Sequence, residues 1–400
     1  MSSRFDVVIV GAGMSGASLA LALAEGGIRS ALLDPNELTE FSKEQPYELR
    51  ASAITPASRN LLANLGVWND IERARVSPFS AMRVYDAHGT DAIEFAASDI
   101  GEAALGYIVE NLVITNSLRA AVDANDNVEW IRSHVTGFSL EEDDAIVTLE
   151  NGQVLLAQLL VGADGVNSFV REQAGIEQVG GEYGDQAIVA VVEGRVSGQT
   201  VAWQRFTEQD ILAFLPLQNN LHSIVWSVSK QRADNLLACS NAEFCSALQG
   251  LSQKYIGNAT LVSERASFPL RGIQAEEYVR SRLALVGDAA HSVHPLAGQG
   301  ANLGFQDVAV LSDVLRKSDR DLGSLQYLSK YQRRRAGENA LMQKSLEFLR
   351  TVYCSNDPLA SEVRKIGLGL VSRLGPAKNI LIKHASGFVP GAPALLKRYR

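Results

Sequence analysis

The chain has 400 residues, a length that favours two domains or one large discontinuous fold. Hydrophobic residues make up 46% and charged residues 20% of the sequence, which excludes disordered and fibrous classes of protein. The formal net charge of −8 argues against nucleic acid as the main partner.

Cysteine usage and the lack of long apolar runs indicate the cellular setting. Cys239, Cys245 and Cys354 are an odd number and form no CxxC pair, which excludes a disulfide scaffold and a thiolate zinc site. The apolar run at residues 7–10 is too short for a signal peptide, and no apolar stretch approaches the ~18 residues that span a bilayer. We therefore expect a soluble or peripheral protein in a reducing cytoplasm.

The last part of the chain is basic. Residues 330–400 contain 14 Lys and Arg against 4 Asp and Glu, whereas the rest of the chain has a net charge of −18. This distribution is typical of a solvated helical face, and also of a surface that contacts anionic lipid or an acidic partner.

The first 34 residues have the pattern of a βαβ unit. The apolar run 5–10 predicts a strand buried on both faces, and residues 17–25 predict a helix of small residues. Residues 30–33 predict a second strand, which ends at Asp34.

Helices and β-rich blocks then alternate along the chain. Helices are predicted over residues 57–75, 112–123, 241–250, 301–316 and 324–350. Strands are predicted over residues 82–95, 128–160 (a meander with a hairpin turn at 151–152), 186–228 and 283–286. The pattern indicates an α/β framework that β-rich blocks interrupt, so a discontinuous domain is expected.

The sequence GAGMSG at residues 11–16 follows the first strand and opens the first helix. In this context Gly11 makes the tight turn, Gly13 lets a pyrophosphate approach the backbone, and Gly16 lets the helix pack close to the strand. The helix N-terminus offers free N–H groups to phosphate, and Asp34 can accept hydrogen bonds from ribose hydroxyls. The motif predicts a dinucleotide site without separating FAD from NAD.

Two later turns from strand to helix are expected at the same site. Residues 162–171 (GADGVNSFVR) favour a turn with Ser168 as the N-cap of the next helix. Residues 287–307 begin at a strand end with Asp288, whose carboxylate suits a polyol hydroxyl, and contain Gly298, Gly300 and Gly304, which allow close backbone approach around the start of a helix near Ala301. The N-terminus of that helix suits an electron-rich ring that becomes anionic on reduction.

Other kinds of catalytic site find no support. His291 and His294 are three residues apart, but no third ligand accompanies them, so no metal site is predicted. The sequence contains no GxSxG, P-loop or HExxH motif.

Together these motifs resemble a known family. GxGxxG, DGxxSxxR at 164–171, and GDAAH with HPLAGQGxNLGxxD at 287–307 are similar to the single-component FAD-dependent aromatic hydroxylases over most of residues 1–345. The third stretch resembles the ubiquinone-biosynthesis hydroxylases, the VisC-like UbiH/UbiI/UbiF group and its mitochondrial relatives. The stretches that look most like the UbiI-type 2-polyprenylphenol hydroxylases are 50–54, 65–68, 106–111, 211–217 and 223–227.

The resemblance implies an α/β fold with a Rossmann-like FAD-binding domain of the p-hydroxybenzoate hydroxylase type, an inserted β-sheet substrate domain and a helical C-terminus. The expected FAD-binding domain is discontinuous and contains residues 1–80, 100–181 and 266–345. The expected substrate domain contains residues 81–99 and 182–265, and residues 346–400 form the helical basic region.

The reaction implied by the resemblance is hydroxylation of a polyprenylphenol intermediate of ubiquinone biosynthesis, ortho to its hydroxyl. NAD(P)H reduces FAD, and the reduced flavin reacts with O₂ to give a C4a-hydroperoxide that delivers oxygen to the ring. The protein has to exclude water from this chemistry.

The resemblance also assigns roles to residues. The three glycines of residues 11–16 bind the pyrophosphate, Asp34 the ribose, Arg50 the flavin side of the cofactor and Asp288 the ribityl-phosphate region. Pro295 and Gly298 form the environment of the reacting flavin edge, and no acid or base is assigned. The full expected cofactor-binding set is Gly11, Gly13, Met14, Ser15, Gly16, Asp34, Arg50, Asp164, Gly287, Asp288, Gly298, Gln299, Gly300, Ala301, Asn302 and Leu303.

Roles for other residues of the strand-rich region stay open. His222 and Tyr183 are candidates for phenol activation by position only, and core or surface roles are favoured for both. A core role is likewise favoured over the lining of a prenyl pocket for the aromatic residues Trp203, Phe206, Phe214 and Trp226.

The expected partners are the polyprenylphenol, O₂, other ubiquinone-biosynthesis proteins, a membrane surface and a second copy of the chain. A polyprenyl substrate lives in the bilayer, so the basic C-terminal region is expected to contact the inner membrane or partner enzymes. Packing of this region on the FAD-binding domain is the alternative.

Further functions on the same fold also remain open. They are a prenyl reductase, a halogenase, a hydroxylase of another aromatic substrate, and a non-catalytic flavin-binding scaffold of a biosynthetic complex. A flavin disulfide reductase would need a redox pair of cysteines, which the sequence lacks.

Overall fold

The computed structural model describes residues 3–37, 39–86, 92–196, 200–252, 255–293, 298–318, 321–354, 379 and 382–398. The strands are β1 (Ser3–Val10), β2 (Ser30–Leu33), β3 (Ala51–Ile54), β4 (Ser77–Phe79), β5 (Ala81–Tyr85), β6 (Ala92–Ala96), β7 (Gly106–Glu110), β8 (Val128–Ile131), β9 (Val135–Leu140), β10 (Ala145–Leu149), β11 (Val154–Gly162), β12 (Gln178–Val196), β13 (Val201–Phe206), β14 (Ile211–Pro216), β15 (Leu221–Ser229), β16 (Ile256–Leu261), β17 (Ala266–Ala275), β18 (Val279–Arg280), β19 (Leu283–Leu285) and β20 (His291–Ser292). The α-helices are α1 (Met14–Ala24), α2 (Pro56–Asn64), α3 (Trp68–Ala74), α4 (Asn111–Asp123), α5 (Phe169–Gln173), α6 (Lys230–Ala238), α7 (Asn241–Ser252), α8 (Gly300–Arg316) and α9 (Leu325–Cys354).

Five parallel strands form the centre of the first sheet, in the order β8, β2, β1, β11, β19. The antiparallel strands β18, β10 and β9 extend this sheet. Counted along the chain, the parallel strands follow the 3-2-1-4-5 order of the doubly wound dinucleotide-binding fold. Because the order reverses between β1 and β11, a ligand crevice is expected at the carboxyl ends of these two strands.

Composition explains why β1 and α1 occupy the centre of the molecule. The apolar, β-branched residues Val7, Val8 and Ile9 are fully buried, as in strands that helices cover on both faces. Helix α1 consists mostly of Ala and Leu, is buried over nearly its whole length and packs against α8. Small side chains let this helix lie close to the sheet, and its first turn reaches the carboxyl end of β1.

A second sheet, in the order β20, β17, β12, β15, β14, β13, β5, β6 with β16 also on β12, has two different faces. Helices α6 and α7 cover one face and pack on Trp203, Phe214 and Trp226. Since side chains alternate along a strand, the neighbours of these residues lie on the other face. Those neighbours include Ala202, which packs in one cluster with Ala53 of the small sheet β3-β7-β4, so this face lies towards the small sheet.

The predicted fold class is confirmed, and three local expectations need correction. The single helix predicted over residues 57–75 is two helices, because the chain turns at Gly66 with φ of +78°. Strand β8 was predicted within a meander but pairs in parallel with β2; only β9, β10 and β11 form the meander. Helix α6 was not predicted, and its Ser229 N-cap accepts a hydrogen bond from the backbone N–H of Arg232.

The described part of the C-terminal region packs on the core around the first sheet. Leu395 and Leu396 are buried in this core, and their carbonyl oxygens accept hydrogen bonds from the side chains of Asn64 at 2.8 Å and Asn60 at 3.2 Å, respectively. Arg398 forms an ion pair with Glu102 at 2.7 Å. Within the described ranges, no helix has the length and apolar character needed to cross a membrane.

Candidate active site

The first glycine loop joins β1 to α1 and touches the loop after β11. Gly11 has φ of +100°, and a Cβ atom at this position would lie 2.4 Å from the carbonyl oxygen of Ala163. A Cβ atom at Gly16 would lie 1.8 Å from the carbonyl oxygen of Gly11. Both positions therefore require glycine for packing within the protein, as the sequence predicts.

Gly13 is different, because no described atom lies within 4 Å of a Cβ atom placed on it. It is the N-cap of α1, and no side chain of the described chain caps this helix. By contrast, Thr55 caps α2 and Ser168 caps α5. The first-turn N–H groups of α1 thus have no side-chain cap, and the space beside Gly13 is open, the arrangement that a pyrophosphate needs.

Asp34 lies at the end of β2, beside this loop. One carboxylate oxygen accepts a hydrogen bond from the backbone N–H of Ala12 at 2.9 Å, and the other accepts one from the backbone N–H of Asn36 at 2.9 Å. A guanidinium nitrogen of Arg119 on α4 lies 3.7 Å from the same carboxylate, and the guanidinium carbon lies 4.2 Å from the centre of the Trp130 ring. This arrangement fixes the carboxylate beside the first loop, where it can accept hydrogen bonds from ribose hydroxyls.

Sequence reasoning did not assign a role to Arg119. Its side chain is buried, burial lowers the pKa of its guanidinium, and Asp34 opposes that shift. One terminal nitrogen has no hydrogen-bond acceptor among the described residues. A lone arginine inside an apolar helix pattern gives no sequence signal that separates this position from an exposed one.

The second loop, after β11, is held by its own side chains. The carboxylate of Asp164 accepts hydrogen bonds from the Ser168 hydroxyl at 2.5 Å and from the backbone N–H of Val170 at 3.0 Å. Arg171 donates hydrogen bonds to the carbonyl oxygens of Val166 and Ala289, both at 2.8 Å. The motif thereby ties the second loop to the third, and a direct contact of Asp164 with a cofactor stays a prediction.

The third loop contains the short 3-10 helix Gly287–Ala289 and meets the first loop at Ser15. Cβ atoms placed on Gly287 or Gly304 would each lie 2.6 Å from the Ser15 hydroxyl oxygen. The three loops, which are far apart in sequence, therefore meet at the carboxyl ends of β1 and β11.

Asp288 projects from the third loop and is exposed to solvent, although protein atoms surround it on several sides. This enclosure raises the pKa of its carboxyl group by desolvation, while His291 and Arg50 act in the opposite direction. The guanidinium of Arg50 lies over the Phe268 ring at 5.4 Å. An exposed carboxylate within an enclosing wall is expected for a group that faces a ligand cleft.

The N-terminus of α8 forms the other end of the third loop. A Cβ atom at Gly298 would lie 3.0 Å from Cβ of Ala53. Asn302 joins the same elements, because its amide donates to the carbonyl oxygens of Ala53 at 2.8 Å and Gly298 at 2.9 Å and accepts from the backbone N–H of Thr55 at 2.9 Å. No described side chain caps α8, so its first-turn N–H groups remain available to a ligand.

A buried polar network supports the third loop from below. The carboxylate of Asp307 contacts Nε2 of His291 at 2.5 Å, the guanidinium of Arg335 at 2.7 Å and the backbone N–H of Gly287 at 3.0 Å. Burial alone would raise the pKa of Asp307, but His291 and Arg335 lower it to about 2. The ionised carboxylate holds the turn that carries Asp288 (the sequence motif contains Asp307 but gives no sign of its partner Arg335).

Apolar side chains flank the third loop. Val293 and Leu303 pack with Phe206 and Ile211 of the second sheet and with Leu346 of α9. Pro295, which the sequence places at the flavin edge, lies outside the described residues, as do His294, Leu296 and Ala297. The described part of this flank is therefore an apolar wall made by the third loop, the start of α8, the second sheet and α9.

His222 and Tyr183, the candidates for phenol activation, lie in surroundings that do not suit acid–base chemistry. His222 is buried, and desolvation lowers its pKa to about 4; it packs against Phe214, on the sheet face that α6 and α7 cover. Tyr183 donates a hydrogen bond to Glu347 at 3.0 Å, and its burial together with that carboxylate raises its pKa to about 12.

The predicted aromatic residues divide between the two sheet faces. Trp203, Phe214 and Trp226 are core residues beneath α6 and α7, whereas Phe206 lies on the face beside the third loop. No group of three or more metal-binding side chains occurs within the part of the chain that the structure describes.

This arrangement fits FAD. The helices α1 and α8 both have uncapped N-termini and lie close together at Ser15 and Gly304, and the open space at Gly13 admits a pyrophosphate. The carboxylates of Asp34 and Asp288 supply acceptors for hydroxyl groups. FAD would bring redox chemistry that none of the described side chains can perform alone.

Comparison with known proteins agrees with this geometry. The family profile described as "FAD binding domain" matches residues 4–345. The 3-demethoxyubiquinol 3-hydroxylase of Escherichia coli is 35% identical over 386 residues, which cover 96% of this chain and 98% of that protein. The ubiquinone hydroxylase UbiL of Rhodospirillum rubrum is 34% identical over 399 residues, which cover 98% of this chain and 92% of that protein.

A solved structure shows the same fold. The p-nitrophenol 4-monooxygenase PnpA of Pseudomonas putida superposes with a TM-score of 0.78 at 18% identity, covering 97% of this chain and 99% of that one. The predicted family is therefore confirmed, with FAD as cofactor and NAD(P)H as the co-substrate typical of the family. The chain belongs to the FAD-dependent monooxygenases, within the family of ubiquinone-biosynthesis hydroxylases.

Proposed function

We propose that this enzyme hydroxylates the aromatic ring of a polyprenylphenol intermediate of ubiquinone biosynthesis, with NAD(P)H and O₂ as co-substrates. One structural observation is the main support for this substrate class. The three cofactor loops meet beside an apolar wall built from Val293, Leu303, Phe206, Ile211 and Leu346. An apolar wall suits a substrate with a prenyl tail, and the relatives named above are a demethoxyubiquinol hydroxylase and a ubiquinone hydroxylase.

The proposal assigns FAD to the residues predicted from the sequence. The pyrophosphate lies against Gly13 and the first turn of α1, the ribose against Asp34, and the ribityl chain near Asp288 and Arg50. Residues 298–303 carry the backbone contacts to the flavin ring. The division into a discontinuous FAD-binding domain and a sheet-rich substrate domain belongs to the same proposal.

Bound FAD, reduced by NAD(P)H, supplies the electrons that activate O₂, so that one oxygen atom enters the ring and the other leaves as water. The protein contributes the surroundings. The uncapped N-terminus of α8 favours negative charge on a ligand bound at that end of the helix. The apolar wall excludes water, which would otherwise divert reduced oxygen to H₂O₂.

The test measures NAD(P)H oxidation and product formation by the FAD-loaded protein. A phenol with a long prenyl tail should stimulate oxidation and be recovered with one added hydroxyl group, whereas the same tail without a phenol should do neither. If no prenylphenol stimulates oxidation, the proposed substrate class is wrong and a scaffold role gains support.

Binding to an anionic membrane surface is also part of the proposal. Lys383 and Lys397 are exposed in the described C-terminal part, whereas Leu395 and Leu396 are buried and Arg398 is paired. Co-sedimentation of the full-length protein with anionic liposomes should weaken when Lys383 and Lys397 are both replaced by Gln. Equal binding of the two proteins would reject a contact through these lysines.

A further inference from the structure

Gln204 is a polar residue in the middle of β13 and is only 3% exposed. Its cross-strand neighbours are apolar: Ala213 on β14 and Val84 on β5. A long amide at the centre of an apolar sheet surface is unusual, because burying an amide costs free energy unless its hydrogen bonds are replaced.

The alternation of side chains places Gln204 on the sheet face that lies towards the cofactor loops. On the same strand, Ala202 precedes it and packs with Ala53, the residue that contacts Gly298. Phe206 follows it and packs with Val293 and Leu303 at the third loop. Gln204 therefore lies between two groups of side chains that both contact the loop at which the flavin edge is expected.

Among the described residues, no hydrogen bond to the side-chain amide of Gln204 is found, and its nitrogen and oxygen are not among the fully enclosed polar atoms that lack a partner, so the amide borders open space. The neighbouring Ala213 is small and only partly buried, so it leaves space beside the amide. An amide on a buried side chain that borders open space can form its hydrogen bonds with a ligand bound in that space.

We propose that Gln204 determines substrate specificity by hydrogen bonding to the phenolic oxygen of the substrate; this rests on the proposed function. An amide can donate to a phenolate and can donate to or accept from a neutral phenol, so it recognises the oxygen in either protonation state. The hydrogen bond fixes the rotation of the ring about its tail and presents one ring carbon to the cofactor. An analogue with a methyl ether in place of the hydroxyl loses part of this recognition.

The test compares the FAD-loaded parent with Gln204→Leu, and with Gln204→Met as a second apolar variant of similar length. Gln209→Leu is the matched control, because Gln209 is exposed in the turn after β13. We expect Kd for the prenylphenol to rise roughly tenfold in both Gln204 variants, the usual scale for one buried hydrogen bond, and the preference for phenol over methyl ether to disappear. FAD affinity should not change.

Thermal unfolding of the substrate-free protein separates this role from a structural one. If the amide has no partner in the resting protein, replacing it with an apolar side chain should leave Tm unchanged or raise it. A lower Tm with unchanged discrimination between phenol and ether would make Gln204 a structural residue and overturn the inference, as would equal Kd values in all variants. If no prenylphenol stimulates the parent, the proposed function fails and the ligand assigned to Gln204 fails with it.

Discussion

The two glycines at the start of α1 provide a matched pair of substitutions that separates ligand contact from packing. Gly16→Ala places a Cβ atom 1.8 Å from the carbonyl oxygen of Gly11, so α1 or the loop must move. Gly13→Ala meets no described atom within 4 Å, and its φ of −70° and ψ of −171° suit alanine. The same chemical change should therefore damage the fold at one position and only the ligand site at the other.

The magnitudes follow from the local structure. At Gly13, alanine stabilises by reducing the entropy of the unfolded chain, by about 0.4–1 kcal/mol, but it is a poorer N-cap than glycine. These effects oppose each other, so the free energy of unfolding without FAD should change by less than about 1 kcal/mol. The methyl group occupies the space assigned to the pyrophosphate, so Kd for FAD should rise at least roughly tenfold, or about 1.4 kcal/mol.

The assay is flavin fluorescence titration of the apoprotein, with urea unfolding of the same sample. Gly16→Ala should lose about 1–3 kcal/mol of unfolding free energy, the scale of overpacking in a core, because its Cβ atom overlaps a backbone atom. Parent-like FAD binding by Gly13→Ala would refute the reasoning, because a methyl group would then fit where the phosphate is placed. A large loss of stability in the FAD-free Gly13→Ala protein would refute it as well.

Three further predictions concern single side chains. Asp34→Asn should weaken FAD binding while leaving NAD(P)H specificity unchanged; isothermal titration checks this, and unchanged FAD affinity would remove Asp34 from the site. Asp307→Asn leaves the buried guanidinium of Arg335 with the partly exposed Glu338 as its remaining charge partner and should cost about 3 kcal/mol in urea unfolding, whereas a loss below about 1 kcal/mol would deny the network its supporting role. His222 has a folded pKa of about 4, below its ordinary value, so the unfolded chain binds more protons between about pH 6.5 and pH 4 and stability falls as the pH drops through this window. From pH 7 to pH 5 this residue should lower the free energy of unfolding by about 2 kcal/mol, and His222→Leu should abolish this loss. If the free energy of unfolding falls equally with pH in the parent and in the variant, the prediction is wrong.

The sequence patterns correctly predicted those elements that depend on interactions between residues close together in the sequence. Strand β2 was predicted with its observed bounds, and the glycine loop at residues 11–16 was placed correctly between β1 and α1. Both features depend on the spacing of residues that are close together in the sequence. The hairpin at residues 151–152 is of the same kind, since Gly152 has φ of +80° there.

Long-range pairing and sheet orientation could not be predicted in this way. Strand β8 has an ordinary strand composition, and nothing in it shows that its partner is β2 rather than β9. Alternation divides the residues of β13 into two sets, but it does not say which set lies under α6 and α7. Trp203 and Phe206 therefore looked equivalent in sequence, although only Phe206 lies on the cofactor side.

The site shows the same limit. Motifs indicated the loops, but the residues that hold them come from distant helices: Arg119 beside Asp34, and Arg335 beneath the third loop. Arg335 is 28 residues from Asp307 and is nearly fully buried, which is rare for an arginine outside a charge pair. Only the folded chain brings such pairs together.

The central claim is that the three loops hold FAD beside an apolar wall where a phenol ring is hydroxylated by O₂. The most direct test incubates the FAD-loaded protein with NAD(P)H, a prenylphenol and isotopically labelled O₂, and analyses the product by mass spectrometry. We expect one labelled oxygen atom in the product ring. A product without label, or a label acquired from water instead, would contradict it.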